Sequence, residues 1–211
     1  MGMNIELHNL FPTPVIVADF KRDFSQEERD FFNDQITNSI VKNNIHSNAN
    51  SKTLNSYILD EPVMENLKLD ITEMIFLFLT NIYKPTTNIL PYITQSWLTV
   101  TKENEYHHEH YHPNSFISGV LYIDTDETVD SISFIKPDNN SLIKIIPQEE
   151  NAYNRRIEKI SVKSGRIIIF PSSLSHHVSN KKGSNTRVAL AFNSFIKGTL
   201  GSEVSLTELV L

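Results

Sequence analysis

Histidine is the residue type whose placement in this chain points to chemistry. Of its eight histidines, four lie in Tyr106-His107-His108-Glu109-His110-Tyr111-His112-Pro113, and two more are adjacent as His176-His177. Neutral imidazole is the commonest protein ligand for iron, zinc, copper and nickel. In extended backbone, residues two apart point to the same side, so a His-x-His pair offers two imidazoles to one ion. His110-x-His112 does this, as does His108-x-His110, while His107-x-Glu109 would offer one imidazole and one carboxylate. A third ligand must come from elsewhere in the chain, and the His176-His177 segment is the evident source. Taken singly, the first window has the lesser alternative of a surface histidine cluster without metal, and His176 reads first as a satisfied core histidine. On neighbouring strands they favour a metal site.

Arg187 lies eleven positions after His176, beyond the turn-like stretch Asn180-Lys181-Lys182-Gly183-Ser184-Asn185. If the two residues sit on the arms of one even-loop hairpin, they face the same side and lie close. A guanidinium beside a metal is a ready fork for a carboxylate. The alternative is a surface strand arginine. Val188-Ala189-Leu190-Ala191-Phe192 argues against that, because it reads as a strand buried on both faces.

These residues need a scaffold. Ser25-Gln26-Glu27-Glu28 matches a capping box and predicts a helix to about Lys42, with Phe31, Phe32, Ile36, Ile40 and Val41 on one face. Residues 43–56, rich in Asn and Ser, read as a loop. Pro62 suits a first helical turn, and a second helix to about Tyr83 carries Leu67, Ile71, Met74, Ile75, Phe78 and Ile82 at spacings of three or four. Strand patterns cover Pro14–Phe20, Tyr92–Thr101, Phe116–Ile123, Ser131–Ile135, Leu142–Ile146, Ile157–Val162, Arg166–Phe170, His176–Ser179 and Thr186–Ile196, separated by turn signals such as Pro137-Asp138-Asn139-Asn140 and Lys163-Ser164-Gly165. The expected fold is mainly β with flanking helices (α+β). It is a jelly roll, cupin-like, with two N-terminal helices packed on one sheet. No strand alternates regularly with a helix, which disfavours Rossmann and TIM arrangements. The whole chain, 1–211, reads as one domain, with helical support over 25–83 and a β core over about 90–197.

Composition narrows the function further. The absence of cysteine excludes disulfide scaffolds, iron–sulfur sites, cysteine zinc sites and a cysteine nucleophile. The net charge of −6 argues against a broad nucleic-acid surface. The longest apolar run, Met74 to Leu79, is far short of a membrane span. Met1-Gly2-Met3-Asn4 lacks the features of a signal peptide, and Met1-Gly2 reads as a cloning scar. A soluble, cytoplasmic protein is the expectation.

Four stretches resemble a known family. They are Leu10-Phe11-Pro12-Thr13-Pro14-Val15; Ser96-Trp97; His110-x-His112-Pro113-Asn114-Ser115 with Ser118-Gly119-Val120-Leu121-Tyr122; and Gly165 through Phe170-Pro171-Ser172, then His176-x-Val178, Arg187 and Phe192-Asn193. In order and nearly along the whole chain, they resemble the Fe(II)/2-oxoglutarate-dependent oxygenases, and more closely a small branch found in bacteria and their phages. The resemblance implies a double-stranded β-helix and a bacterial or phage-infected bacterial cell. It implies Fe(II) held by His110, by His112 at the place usually taken by Asp or Glu, and by His176. It further implies that Arg187 binds the distal carboxylate of the co-substrate 2-oxoglutarate, with Tyr122 hydrogen-bonding the same group. The reaction implied is hydroxylation of a substrate C–H bond with release of succinate and CO2. The substrate, a small molecule or a peptide or protein side chain, stays open, as does a homo-oligomer, and segments 43–56 and 147–156 are the expected loops at the mouth.

Three neutral imidazoles leave Fe(II) at a net charge of +2, whereas a carboxylate would leave +1. The pair His107 and Glu109 would restore that carboxylate, but the His110-x-His112-Pro113 match favours the other register. Two rivals remain. One is a non-catalytic jelly-roll binding or virion module with a structural His-rich metal site. The other is a cupin-like metalloenzyme that does not use 2-oxoglutarate. Only the oxygenase needs Arg187 beside the metal.

Overall fold

The computed structural model describes residues 3–43, 48–137 and 145–211. Strand β1 (Ile16–Asp19) precedes helix α1 (Gln26–Asn38). Two short strands follow, β2 (Ile40–Lys42) and β3 (Ser51–Thr53), and then helix α2 (Glu65–Phe78). The remaining chain is β4 (Leu90–Thr101), β5 (His107–His110), β6 (Ile117–Asp124), β7 (Ser131–Ile135), β8 (Ile157–Ser161), β9 (Arg166–Pro171), β10 (His176–Val178), β11 (Arg187–Lys197), β12 (Thr199–Leu200) and β13 (Leu209–Val210). No helix among the described residues is long and apolar enough to cross a membrane.

The expected mainly-β jelly roll with helices on one sheet is what forms. A seven-stranded sheet runs β1-β9-β6-β11-β4-β3-β2, and a four-stranded sheet runs β5-β10-β7-β8. All pairs among the described strands of these two sheets are antiparallel. Alternation along the central strands assigns the two faces of the large sheet. Leu98, Leu121, Ile167, Ile169, Leu190 and Phe192 pack with Leu67, Ile71, Ile75 and Phe78 of α2 and Phe32 of α1. The residues between them, Tyr122, Ile168, Phe170 and Ala189, face Ile132 and Phe134 of the small sheet. A second interior thus lies between the sheets.

The capping box is formed. Glu28 N–H donates to Ser25 Oγ at 3.2 Å and Ser25 N–H donates to Glu28 Oε2 at 2.8 Å. Arg22 donates to both Glu28 oxygens at 2.9 Å and to Asp70 Oδ2 at 2.7 Å, which ties the start of α1 to α2.

Several boundaries differ from the sequence expectation. Helix α1 stops at Asn38, not near Lys42, because the β-branched pair Ile40-Val41 joins β2, which pairs with β3 inside the expected loop. The second helix is composite: a 3₁₀ turn at Pro62–Met64, the α-helix, and a π turn at Leu79–Tyr83 that ends on Lys84 in left-handed backbone. Of the strand expected at Leu142–Ile146, residues 142–144 lie outside the described residues, and Ile145 and Ile146 are exposed and not in a strand.

Gly119 faces the helical layer, opposite Phe192 in the β6–β11 register. A Cβ there would stand 2.3 Å from the Phe192 ring and 2.9 Å from the Ile168 carbonyl oxygen. Gly119→Ala is therefore expected to destabilise the chain by roughly 1–3 kcal/mol through overpacking. The check is the denaturant midpoint of Gly119→Ala against that of the unsubstituted chain.

Candidate metal centre

Strand β10 is inserted between β5 and β7, and this insertion builds the site. His176 is the Cα partner of His110 on one side and of Phe134 on the other. Direct partners in an antiparallel pair point to the same face. The His110 and His176 rings accordingly lie 4.3 Å apart by centroid. The chain then leaves β5 and delivers His112, whose backbone N–H donates to the Ser172 carbonyl at 2.9 Å. That turn is held by the hydroxyls of Ser115, Ser118 and Ser172, linked at 2.7 and 2.8 Å, and by Ser118 donating to Asn193 Oδ1 at 2.9 Å.

The three rings turn the same edge inward. His112 Nε2 and His176 Nε2 stand 3.3 Å apart, and the ligand atoms of His110, His112 and His176 all lie within 4.8 Å of one another. Two nitrogens bound at about 2.1 Å to one ion at a right angle are about 3 Å apart, so the spacing suits a shared ion. His110 Nδ1–H donates to the His108 carbonyl at 2.8 Å, and His176 Nδ1–H to the Leu174 carbonyl at 2.9 Å. These bonds fix the tautomer and leave each Nε2 lone pair free, as carbonyls behind metal-bound imidazoles commonly do. Burial, with the neighbouring His110 adding to it, pushes His112 down to about 4 and His176 to about 3. Burial lowers His110 as well. All three are neutral near pH 7, the form that ligates.

A second group, His107, His108 and His110, also has ligand atoms within 4.8 Å of one another. It shares His110, and its His107 Nε2 already accepts from Asn43 Nδ2–H at 2.8 Å. Its His108 is exposed. Glu109 joins neither group: it is exposed and accepts from Ser175 Oγ at 3.0 Å. The carboxylate of the competing register is thus turned away from the histidines.

Arg187 reaches the same cleft by another route. His176 and Arg187 do not form a hairpin. β10 belongs to the small sheet, whereas β11 pairs with β4 and β6 in the large one. The connecting loop crosses from sheet to sheet, so the two residues line one cleft from facing sheets. Buried Lys181 anchors this crossing on Asp130 at 3.4 Å and on Asn185 Oδ1 at 2.6 Å.

The cleft, about 30 Å³, is lined by the three histidines, Arg187, Trp97 and Val120. Arg187 is only 3% exposed, and its Nε has no hydrogen-bond partner. No carboxylate pairs with it among the described residues. Its guanidinium carbon lies 5.1 Å from the Tyr122 ring centroid. The Tyr122 hydroxyl is buried and unpartnered, and burial pushes its ionisation up. Thr101, the Cα partner of Arg187, presents a second buried hydroxyl without a partner. Buried polar groups are rarely left unpaired, so these three atoms could serve a ligand with several acceptor atoms, although of their residues only Arg187 lines the cleft itself. Thr101 was missed in the sequence, and only the β4–β11 register reveals it.

Residues 95–193 match the family model described as "Putative 2OG-Fe(II) oxygenase". A comparison with curated proteins finds no match. Solved structures do match. HygX from Streptomyces hygroscopicus, crystallised with nickel, 2-oxoglutarate and hygromycin B, is 13% identical with a TM-score of 0.54, over 86% of this chain and 82% of that one. SnoN, a non-heme alpha-ketoglutarate-dependent epimerase from nogalamycin biosynthesis, is 9% identical with a TM-score of 0.61, over 87% and 76%. A prolyl-4-hydroxylase from Pseudomonas putida is 8% identical with a TM-score of 0.54, over 86% and 92%. At these identities the likeness is one of fold, and the family pattern in the β core adds the sequence. Over residues 95–193 the chain is thus similar in sequence pattern to the 2-oxoglutarate/Fe(II) oxygenases, and over most of its length it shares the fold of these solved structures.

Proposed function

We propose that the protein is an Fe(II)- and 2-oxoglutarate-dependent dioxygenase that hydroxylates its substrate with release of succinate and CO2. The observation that carries this reading is buried Arg187, with no carboxylate partner and an unpartnered Nε, lining the same cleft as three converging imidazoles. A structural metal site has no use for such a cation, and neither has a metalloenzyme without a dicarboxylate co-substrate. That solved relatives by fold contain iron, or nickel and 2-oxoglutarate, supports the same assignment.

His110, His112 and His176 would hold the iron. Bound with 2-oxoglutarate, the iron supplies the activation of O2 that oxidises a substrate C–H bond. The work of the chain itself is to place and seal. The Leu174 and His108 carbonyls keep two imidazoles in the ligating tautomer. Arg187 would grip the distal carboxylate by a charge-assisted pair of hydrogen bonds, with Tyr122 and Thr101 donating beside it. Phe170, whose ring lies 4.7 Å from that of His176, and Trp97, 6.0 Å from that of His112, wall the metal end with apolar surface.

The test is an anaerobic titration of Fe(II) and then 2-oxoglutarate, followed through the visible charge-transfer band of a bidentate co-substrate. The band is expected only after both additions. Arg187→Gln should keep the metal and weaken 2-oxoglutarate binding by about 100-fold, the size of a lost charge-assisted pair. Thr101→Val should weaken it by about five- to ten-fold, the size of one neutral hydrogen bond. Metal uptake without a band would remove the oxygenase reading. His176→Ala and His112→Ala should lower metal affinity, and Glu109→Ala should not; loss of metal in Glu109→Ala alone would restore the other register.

The metal-free chain should also respond to acid with a definite sign. His112 and His176 are depressed to about 4 and about 3 in the folded state, against 6.5 in the unfolded chain. As pH falls below 6.5 the unfolded chain takes up protons first, so stability declines from there down to the folded values. Each group contributes a slope of roughly 1.4 kcal/mol per pH unit within that window. Melting temperatures at pH 7 and pH 5 check it, and His112→Asn should flatten the fall.

A further inference from the structure

The stretch Leu10-Phe11-Pro12-Thr13-Pro14-Val15 carries part of the family resemblance, yet none of its residues lines the metal cleft. Four of them, with Val15, line a second and much larger cavity of about 750 Å³. It opens to solvent, and its volume is ample for a small organic ligand. Buried Phe134 and Leu174 line it, as do Lys136, Pro137, Tyr153, Arg155 and Arg156.

Its chemistry is unlike the rest of the molecule. The chain carries a net charge of −6, but this lining holds Lys136, Arg155 and Arg156 against a single carboxylate, Glu158. Glu158 is committed to Arg155, whose Nε nevertheless stays buried without a partner. The Arg156 side chain has no ion-pair partner among the described residues. Beside the cations stand two aromatic rings in solvent, Tyr153 at 49% and Phe11 at 95% exposure. Phe11 also has φ of 57°, in left-handed backbone that a phenylalanine rarely adopts. Strain that gains the chain no contact of its own is a mark of a binding segment.

We propose that this second cavity binds a small organic anion with an apolar body, its charge on Arg155 and Arg156 and its body against Phe11 and Tyr153. The site is separate from the cleft of Arg187, because the two share no lining residue. It also abuts the metal centre from behind, since Leu174 lines it and orients His176 through its carbonyl. The proposal stands on the cavity alone and does not need the oxygenase reading.

The experiment is a fluorescence titration of the full chain with 8-anilino-1-naphthalenesulfonate and, in parallel, with uncharged N-phenyl-1-naphthylamine. One saturable site is expected, with the sulfonate bound about ten-fold more tightly than its neutral analogue. Arg156→Gln should weaken the sulfonate by about five-fold or more and leave the neutral dye unchanged. Phe11→Ser should weaken both, and Arg187→Gln neither. Arg156 and Phe11 are exposed, so circular dichroism should be unaltered in both variants, and Lys136→Gln is a second charge variant. Equal affinity for the two dyes, sulfonate binding indifferent to Arg156→Gln, or sulfonate binding lost in Arg187→Gln would each overturn the proposal.

Discussion

The geometry of the site depends on one pairing: β10, three residues long, lies between β5 and β7 with His176 opposite His110. Strand partners share a face, so this register alone brings two imidazoles from distant parts of the chain to one side of the small sheet. His112 follows from the same frame, because its N–H is tied to Ser172, just ahead of β10. A slip of one residue in β10 would turn His176 to the outer face and replace it with Ser175 or His177. The site is therefore only as secure as the register. The buried Phe134–Phe170 pair, 5.0 Å between ring centroids and packed against His176, anchors that strand to the interior between the sheets.

Burying Arg187 without a partner carries a large desolvation cost that an internal carboxylate would normally offset. Only two carboxylates are buried among the described residues, and both are committed elsewhere. Glu28 serves the capping box and Arg22. Asp130 accepts from Asn185 at 3.0 Å and from Asp126 N–H at 2.9 Å, and pairs with Lys181. The Lys181–Asp130 pair thus does two things. It pins the loop that crosses between the sheets, and it neutralises the acid that would compete for the arginine. Arg187 is left for an anion from outside because both buried acids are already paired elsewhere.

How far this could be read in the sequence varied with the physics involved. The jelly roll and its helical cover were legible because strands such as Ile167-Ile168-Ile169-Phe170 and the α2 stripe carry strong periodicity. Strand β5 carried none, since His107-His108-Glu109-His110 has no apolar alternation, and it was recognisable only as chemistry. The juxtaposition of His176 and Arg187 was anticipated, but through a hairpin that does not exist. Sequence separation cannot distinguish two arms of a hairpin from two strands on facing sheets, because both leave the residues close. Thr101 and the second cavity depend on register and on long-range packing, which local pattern does not encode. The end of α1 turned on whether Ile40 and Val41 would extend an apolar helical face or start a strand. Their pairing with β3 decided it.

A histidine at the third ligand position also changes what the cleft prefers to hold. With a carboxylate there, a divalent ion and the arginine would present a total of +2, matched by a dicarboxylate of −2. With His112 in that place, the proposed ligand set leaves +3 in a cleft whose nearest buried acid is already paired. A doubly charged acid is then held with one positive charge uncompensated, at low dielectric, where charge imbalance is costly. The site should favour an additional negative group close to the metal, whether from substrate or from solution. Glu109 could have met that demand from three positions before His112, yet it is turned outward onto Ser175. On the proposed ligand set, the surplus positive charge is a property of this centre, and its substrate has to be compatible with it.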